Sequence, residues 1–220
     1  MQLNIDEALR YLGAGTQAPD ALRQDMTAVA QTLMQTLQPR YTYRVCPLRH
    51  DEGAVQLLGA NVTLTGSTAL RMLAQCDQAV LLACTLGAQF DTLLRTQQAR
   101  DMARAVMLDA CGSAWVEAGC DAAEQEIQTR FPALYLTDRF SPGYGDLPLT
   151  LQPGICAALD AQRRLGVTVG ASLLLNPAKT VTAVIGLAGT PQMARIRGCA
   201  YCALQQTCAL RKGGTHCGTG

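Results

Sequence analysis

Charge is scarce in this chain. Only 16% of its 220 residues are Asp, Glu, Lys or Arg, and the formal net charge is +1. Because 49% of the residues are hydrophobic, a disordered chain is excluded and a substantial core is expected. No basic stripe runs through the sequence, which argues against a nucleic-acid partner. Long apolar runs are missing too. The longest, near AVLLACTLGA, falls far short of the ~20 residues that a bilayer span needs, so no membrane partner is expected. The opening residues, MQLNIDEALR, lack a basic region followed by an apolar stretch. A signal peptide is therefore not expected, and a cytoplasmic location is. The length suits one large domain, or one domain with an appendage.

Cysteine, by contrast, is plentiful, with ten in the chain. Without a signal peptide, a disulfide framework is not expected. Cys46, Cys76, Cys84, Cys111, Cys120 and Cys156 are scattered, mostly among apolar neighbours, and read as small buried hydrophobes. The other four are clustered. Cys199, Cys202, Cys208 and Cys217 fall in GCAYCALQQTCALRKGGTHCG, at the spacing C-x2-C-x5-C-x8-C, with His216 beside the last. Four thiolates on a short segment suit zinc or an iron–sulfur cluster. The C-x2-C pair readily supplies two ligands of one site, the longer spacers fit either metal, and His216 can replace Cys217. The plainer alternative is four unligated thiols. The chain divides accordingly into residues 1–190 and a Cys-rich, metal-binding tail at 191–220.

Periodicity predicts the elements of the larger part. NIDEALRYLG reads as a helix capped by Asn4, with Glu7 at the capping-box position and Gly13 to end it. After Pro19, Leu22, Met26, Val29, Leu33 and Leu37 recur on one helical face. YTYRVCPL reads as a strand ending at Pro47, and AVQLLGANVTLTG as two strands around a turn at Gly59 to Asn61. STALRMLAQC is a helix with Ser67 or Thr68 near its cap, and QAVLLACTLG a buried strand. From Ala88 to Ile127 the pattern is helical, with Gly112 and Gly119 inside it, each marking close packing or a close-approaching ligand. TLQPGICAALDAQRRLG reads as one helix ending at Gly166, and VTVGASLLL and TVTAVIGL as strands joined by NPAK. Strands and helices alternate without a regular βαβ repeat. This favours an α+β fold with a mixed or antiparallel sheet and packed helices.

One loop, DRFSPGYGDLPLTLQ, has the residues for a small-molecule site. Arg139 is a fixed cation with a planar fork suited to a carboxylate. Pro142 stiffens the loop, Gly143 and Gly145 permit unusual backbone angles, and Tyr144 can lean on a flat ligand. The alternative is a structural turn carrying a surface arginine.

An arginine, two residues, then Pro-Gly-Tyr resembles the signature loop of the activation domain of cobalamin-dependent methionine synthase. LQPGICAALDAQRRLGVTVGASLLLNPAKTVTAVIGLA is similar to the helix and paired strands that follow in that family, with Pro177 and KTVTAV in register. EALRYLG, LLACTLG and LDACGSAWVEA resemble a short stand-alone branch of it. The resemblance covers most of residues 1–190 and is strongest from Arg139 to Leu187. It implies a site for S-adenosylmethionine: Arg139 at the ligand's carboxylate end, Ser141 and Gly143 facing it through their backbone, Tyr144 beside it. It also implies that Glu117 meets the cationic part, with Asp121, one turn later, in reserve. The sequence departs from the family where Gly170, Ala171 and Ser172 replace a Thr-Glu-Ser triplet. The segment between the glutamate helix and the arginine loop is shorter, and only Asp6 offers a counterpart to the family's N-terminal aspartate.

The implied function is repair in methionine biosynthesis: reactivation of an oxidised corrinoid, with S-adenosylmethionine as methyl donor. Positioning would be the main task, so no Ser/His/Asp set is required, and His50 reads as a surface residue beside Arg49 and Asp51. The corrinoid-binding signature Asp-x-His-x-x-Gly is absent. The corrinoid is therefore expected on a partner, such as a methionine synthase lacking its own activation domain, with a flavodoxin or ferredoxin as electron donor. In this setting the tail would hold an iron–sulfur cluster, of the 4Fe-4S type, as an electron relay, or zinc as a staple. A competing reading is a non-catalytic module that docks on a corrinoid protein through a zinc-stapled tail. A thiol oxidoreductase using Cys199 and Cys202 lacks the surrounding thioredoxin-like βαβ context.

Overall fold

The computed structural model describes residues 1–14 and 18–192. The cluster of Cys199, Cys202, Cys208, Cys217 and His216 lies outside the described residues. Two helices open the chain. The first, α1 (Ile5–Tyr11), is capped by Asn4, whose side-chain oxygen accepts from the Glu7 amide at 3.2 Å. The Glu7 carboxylate does not complete a capping box; it pairs with Arg10 one turn on. The second, α2 (Asp20–Thr36), follows Pro19 and buries Met26, Val29 and Leu33, on the face that the spacing predicts.

A strand, β1 (Arg40–Asp51), then leads into the hairpin β2 (Ala54–Leu57) and β3 (Val62–Thr65), which turns through Gly59 and Asn61 at positive φ. Helix α3 (Ser67–Leu73) and strand β4 (Gln78–Thr85) follow, then α4 (Ala88–Arg100) and α5 (Met102–Arg130). A short β5 (Tyr135–Leu136) precedes the arginine loop. Beyond the loop come α6 (Gln152–Leu159), α7 (Ala161–Leu165), β6 (Thr168–Val169), β7 (Leu175–Asn176) and β8 (Thr180–Ala188).

Six strands form one sheet in the order β3-β2-β1-β4-β8-β5, antiparallel at every pairing. The expected α+β fold is therefore present, with an antiparallel rather than a mixed sheet. Alternate residues of β4 serve opposite layers. Val80, Leu82 and Cys84 join a core with α1, α2, α4 and α5, built around Phe90 and Trp115. Ala79, Leu81 and Ala83 join a second core with α3, α6 and α7, built around Met72 and Ile155. Burial on both faces explains why β4 reads as an unbroken apolar run. The indole N–H of Trp115 donates to the Leu37 carbonyl at 2.8 Å, fastening α5 to the end of α2.

Several expected boundaries shift. Strand β1 continues through Pro47, the point where its partner changes from β4 to β2, so the missing N–H interrupts neither ladder. The long helical stretch breaks at Asp101, an extended residue whose carboxylate caps α5 by accepting from the Arg104 amide. The helix expected to end at Gly166 is divided at Asp160, which adopts left-handed backbone angles. VTVGASLLL is not one strand. Gly170 and Leu174 close a tight turn between the two-residue strands β6 and β7. Gly170, Ala171 and Ser172 thus occupy a hairpin tip. Gly112 and Gly119 admit packing partners: an added Cβ would overlap the Phe90 ring at the first, and would lie 2.5 Å from Pro39 and 2.7 Å from the Cys84 sulfur at the second.

Candidate functional site

The arginine loop leaves the sheet at its outer edge. Phe140 exchanges backbone hydrogen bonds with Val184 of β8 at 3.0 and 2.8 Å and buries its ring in the α3–α6–α7 layer. Its neighbour Arg139 turns to the opposite layer, toward α5, as alternation along an extended segment dictates. There it meets three carboxylates at helical spacing. Arg139 Nη2 donates to Glu117 at 2.5 Å, and Nη1 donates to Asp121 at 2.6 Å and Glu124 at 2.5 Å. The arginine side chain is 9% exposed, against 31%, 57% and 24% for Glu117, Asp121 and Glu124. Burial works to lower its pKa, but the charges of Glu124 and Glu117 outweigh that and raise it, so the guanidinium stays charged.

Beyond Arg139 the loop folds over the sheet edge to the other layer. Gly143 and Gly145 have positive φ, and the Gly143 amide donates to the Leu147 carbonyl at 2.7 Å. Asp146 ties the loop to α3. Its carboxylate accepts from the Ser67 amide at 2.5 Å, the Ser67 hydroxyl at 2.7 Å and the Thr68 amide at 3.0 Å. Hydrogen bonds from Thr68 and Ser67 hold the Asp146 pKa well below the usual carboxylate range. Ser67 and Thr68 stand next to the cap of α3, as expected: Gly66 holds the N-cap position, and the capping carboxylate comes from the loop. Gly66 suits the contact: its φ is +100°, and a Cβ there would crowd Asp146 at 3.0 Å.

The structure thus joins Arg139, Glu117 and Asp121 directly. Ser141, Gly143 and Tyr144 lie on the span between the α5 anchor and the α3 anchor, with Tyr144 45% exposed. Asp6 is engaged elsewhere, accepting from Arg23 at 2.7 Å. His50 is exposed and bonds the Cys76 carbonyl at 2.9 Å. Sequence reasoning missed Glu124 and Asp146. Glu124 stands seven residues after Glu117, on the same helical face, and that spacing was the available signal. Tyr11, at the end of α1, borders the cluster as well; burial first, then Glu117, raises its phenol pKa.

Cys120 lies near Arg139 but is fully buried. A hydrogen bond with Cys84, then burial, holds its thiol well above the usual range, against the pull of Arg139. It is therefore no nucleophile at neutral pH. The six described cysteines are free and buried, as the scattered set was read. Among the described residues, no group of His, Cys, Asp or Glu is arranged to hold a metal, and no helix is long and apolar enough to cross a membrane. Two surface depressions lie on α2 and between α2, α4 and α5, and neither borders Arg139.

No family model and no curated protein matches the chain. Among solved structures, the crystal structure of the MetH reactivation domain bound to AdoHcy is similar over 80% of this chain and 68% of that one, with a TM-score of 0.62 and 18% sequence identity. The chain has the reactivation-domain fold. The resemblance first seen in the arginine loop and the strands behind it therefore holds for the architecture. At this identity the reactivation-domain likeness shows the fold and carries no residue role.

Proposed function

We propose that this chain reactivates an oxidised corrinoid held by a separate protein, binding S-adenosylmethionine between the 139–145 loop and α5. The observation that carries the reading is the junction of Arg139 with Glu117 and Asp121, in a fold whose structural neighbour binds AdoHcy. The residues present suit such a ligand. S-adenosylmethionine carries an ammonium and a sulfonium, and the carboxylates of Glu117 and Asp121, 31% and 57% exposed, would meet that positive charge. Bound there, the ligand would supply a methyl group. The chain would hold it in place: Ser141, Gly143 and Tyr144 from the loop, Glu117 from the helix, with Arg139 joining the two.

The partner would be a methionine synthase lacking its own activation domain, or another corrinoid methyltransferase, and a flavodoxin or ferredoxin would supply the electron. The C-terminal cysteines Cys199, Cys202, Cys208 and Cys217 would hold an iron–sulfur cluster as a relay, with zinc as the alternative. The test is reconstitution. The anaerobically purified chain, S-adenosylmethionine and a reductant are added to a corrinoid methyltransferase in its oxidised cobalt state. Return of the methyl-cobalt absorption that requires the chain supports the proposal, and its absence at every chain concentration rejects it. Iron, sulfide and zinc analysis of the same preparation identifies the group held by the tail.

A further inference from the structure

The arginine segment, DRFSPGYGDLPLTLQ, ends on Gln152, the first residue of α6. A glutamine is costly to bury, because its carboxamide has two N–H donors and an acceptor that water would otherwise satisfy. Gln152 is nonetheless only 6% exposed, and Thr182 of β8, against which it lies, is 1% exposed. The Thr182 hydroxyl donates to Gln152 Oε1 at 2.6 Å. That length falls within the O–H···O range and below the N–H···O range, so the amide nitrogen points the other way. Nε2 has no hydrogen-bond partner among the described residues. None of those residues buries a side-chain nitrogen or oxygen without a partner, so Nε2 reaches the surface with both N–H groups free.

That surface borders the proposed site. Phe140 closes the edge of β8 at Val184, and from there the chain runs on into Ser141 and Gly143. Thr182 is two residues back along β8, about 7 Å away, and shares the face of Val184 because strand side chains alternate. The Gln152 amide therefore lies below the start of the loop, in the layer of α6. Arg139, Glu117 and Asp121 lie in the opposite layer, with α5. A ligand held at its charged end by α5, and long enough to cross the sheet edge, would bring its other end to Gln152. In S-adenosylmethionine that end is the nucleoside, which is neutral and carries acceptors on its ring nitrogens and ribose oxygens. A neutral donor in a fixed direction suits it.

We infer that Gln152 determines specificity for the ligand's nucleoside, with Nε2 donating to an acceptor of the adenosine and Thr182 as the positioning residue that sets the amide's direction. This rests on the S-adenosylmethionine reading above and assigns the ligand's second end.

The test is calorimetric titration of the full chain with S-adenosylmethionine and with 5′-methylthioadenosine, which keeps the nucleoside but lacks the amino-acid end and the sulfonium charge. Gln152→Glu keeps an acceptor for Thr182 and removes the amide donor. It should weaken 5′-methylthioadenosine binding by about threefold to tenfold, the worth of one hydrogen bond. Gln152→Leu, the second variant if the first fails to fold, should weaken both compounds by the same factor. Thr182→Val should weaken both as well, and Thr182→Ser, which restores the hydroxyl, should recover the parent's affinity. Unchanged affinity for 5′-methylthioadenosine in the folded Gln152 variants overturns this inference and leaves the proposed function standing. So does a parent that binds S-adenosylmethionine but not 5′-methylthioadenosine, because the nucleoside is then not held. If the parent binds neither compound, both fall together.

Discussion

Gly119 sits on α5 midway between Glu117 and Asp121, and replacing it with alanine tests how tightly the site's helix is seated. On propensity alone, Gly119→Ala should stabilise an interior helical position by about 1 kcal/mol. The structure opposes that gain. The new Cβ would lie 2.5 Å from Pro39 Cβ and 2.7 Å from Cys84 Sγ. Neither atom is the free end of a flexible side chain. Pro39 is a rigid ring at the entry to β1, and Cys84 sits fully buried on the central strand. Overpacking of this kind costs about 1–3 kcal/mol, and two stiff contacts place this case at the upper end. The expected net effect is a loss of about 2 kcal/mol, which for a chain of this length lowers the melting temperature by about 4–8 °C. Urea unfolding followed by the fluorescence of Trp115, the sole tryptophan, measures it. Ala122→Gly on the same helix reports propensity alone. Pushing α5 away from β4 also displaces both carboxylates, so S-adenosylmethionine binding should weaken in the folded variant. A Gly119→Ala protein more stable than the parent would refute the reasoning, because it would show that Pro39 and Cys84 yield freely.

Three further outcomes follow from other contacts. The Asp146 pKa is depressed in the folded protein, so its contribution to stability is present above the unfolded value of 3.8 and is lost as pH falls through the folded one; Asp146→Asn should flatten melting temperature against pH on the acid side of about pH 4. Tyr41 has the opposite sign: its hydrogen bond to Glu126, then burial, raises the phenol to about 12. That contact stabilises fully below pH 10 and is lost as pH rises, and Glu126→Gln should shift the Tyr41 titration downward. Trp115→Phe leaves the Leu37 carbonyl without its indole donor and removes core volume, and should cost about 2–4 kcal/mol in urea unfolding followed by circular dichroism.

The sheet core was legible because its signals are local and redundant. The face of α2, the run in β4 and the turn at Gly59 to Asn61 each state their structure in a few residues. Asp101 and Asp160 were not legible as breaks. A capping aspartate looks like any surface acid inside a strongly helical composition, and left-handed backbone angles at a non-glycine residue leave little trace in sequence. In the site, Arg139 stood out in its loop, and Glu117 was found through the family resemblance. That they bond each other was not, because the pairing spans 22 residues and depends on which layer the loop's edge residue faces. Asp146 was hidden for the same reason. Its partners on α3 are 78 and 79 residues away, although Ser67 and Thr68 already marked a helix start in need of an acceptor.

The central claim is that the junction of Arg139 with α5 belongs to an S-adenosylmethionine site. Isothermal titration of the anaerobically purified full chain with S-adenosylmethionine tests it most directly. The account predicts saturable binding at one site per chain, lost in an Arg139→Ala variant whose circular dichroism shows it folded. No binding heat from the folded parent protein, across temperatures chosen to rule out a zero-enthalpy coincidence, would contradict it.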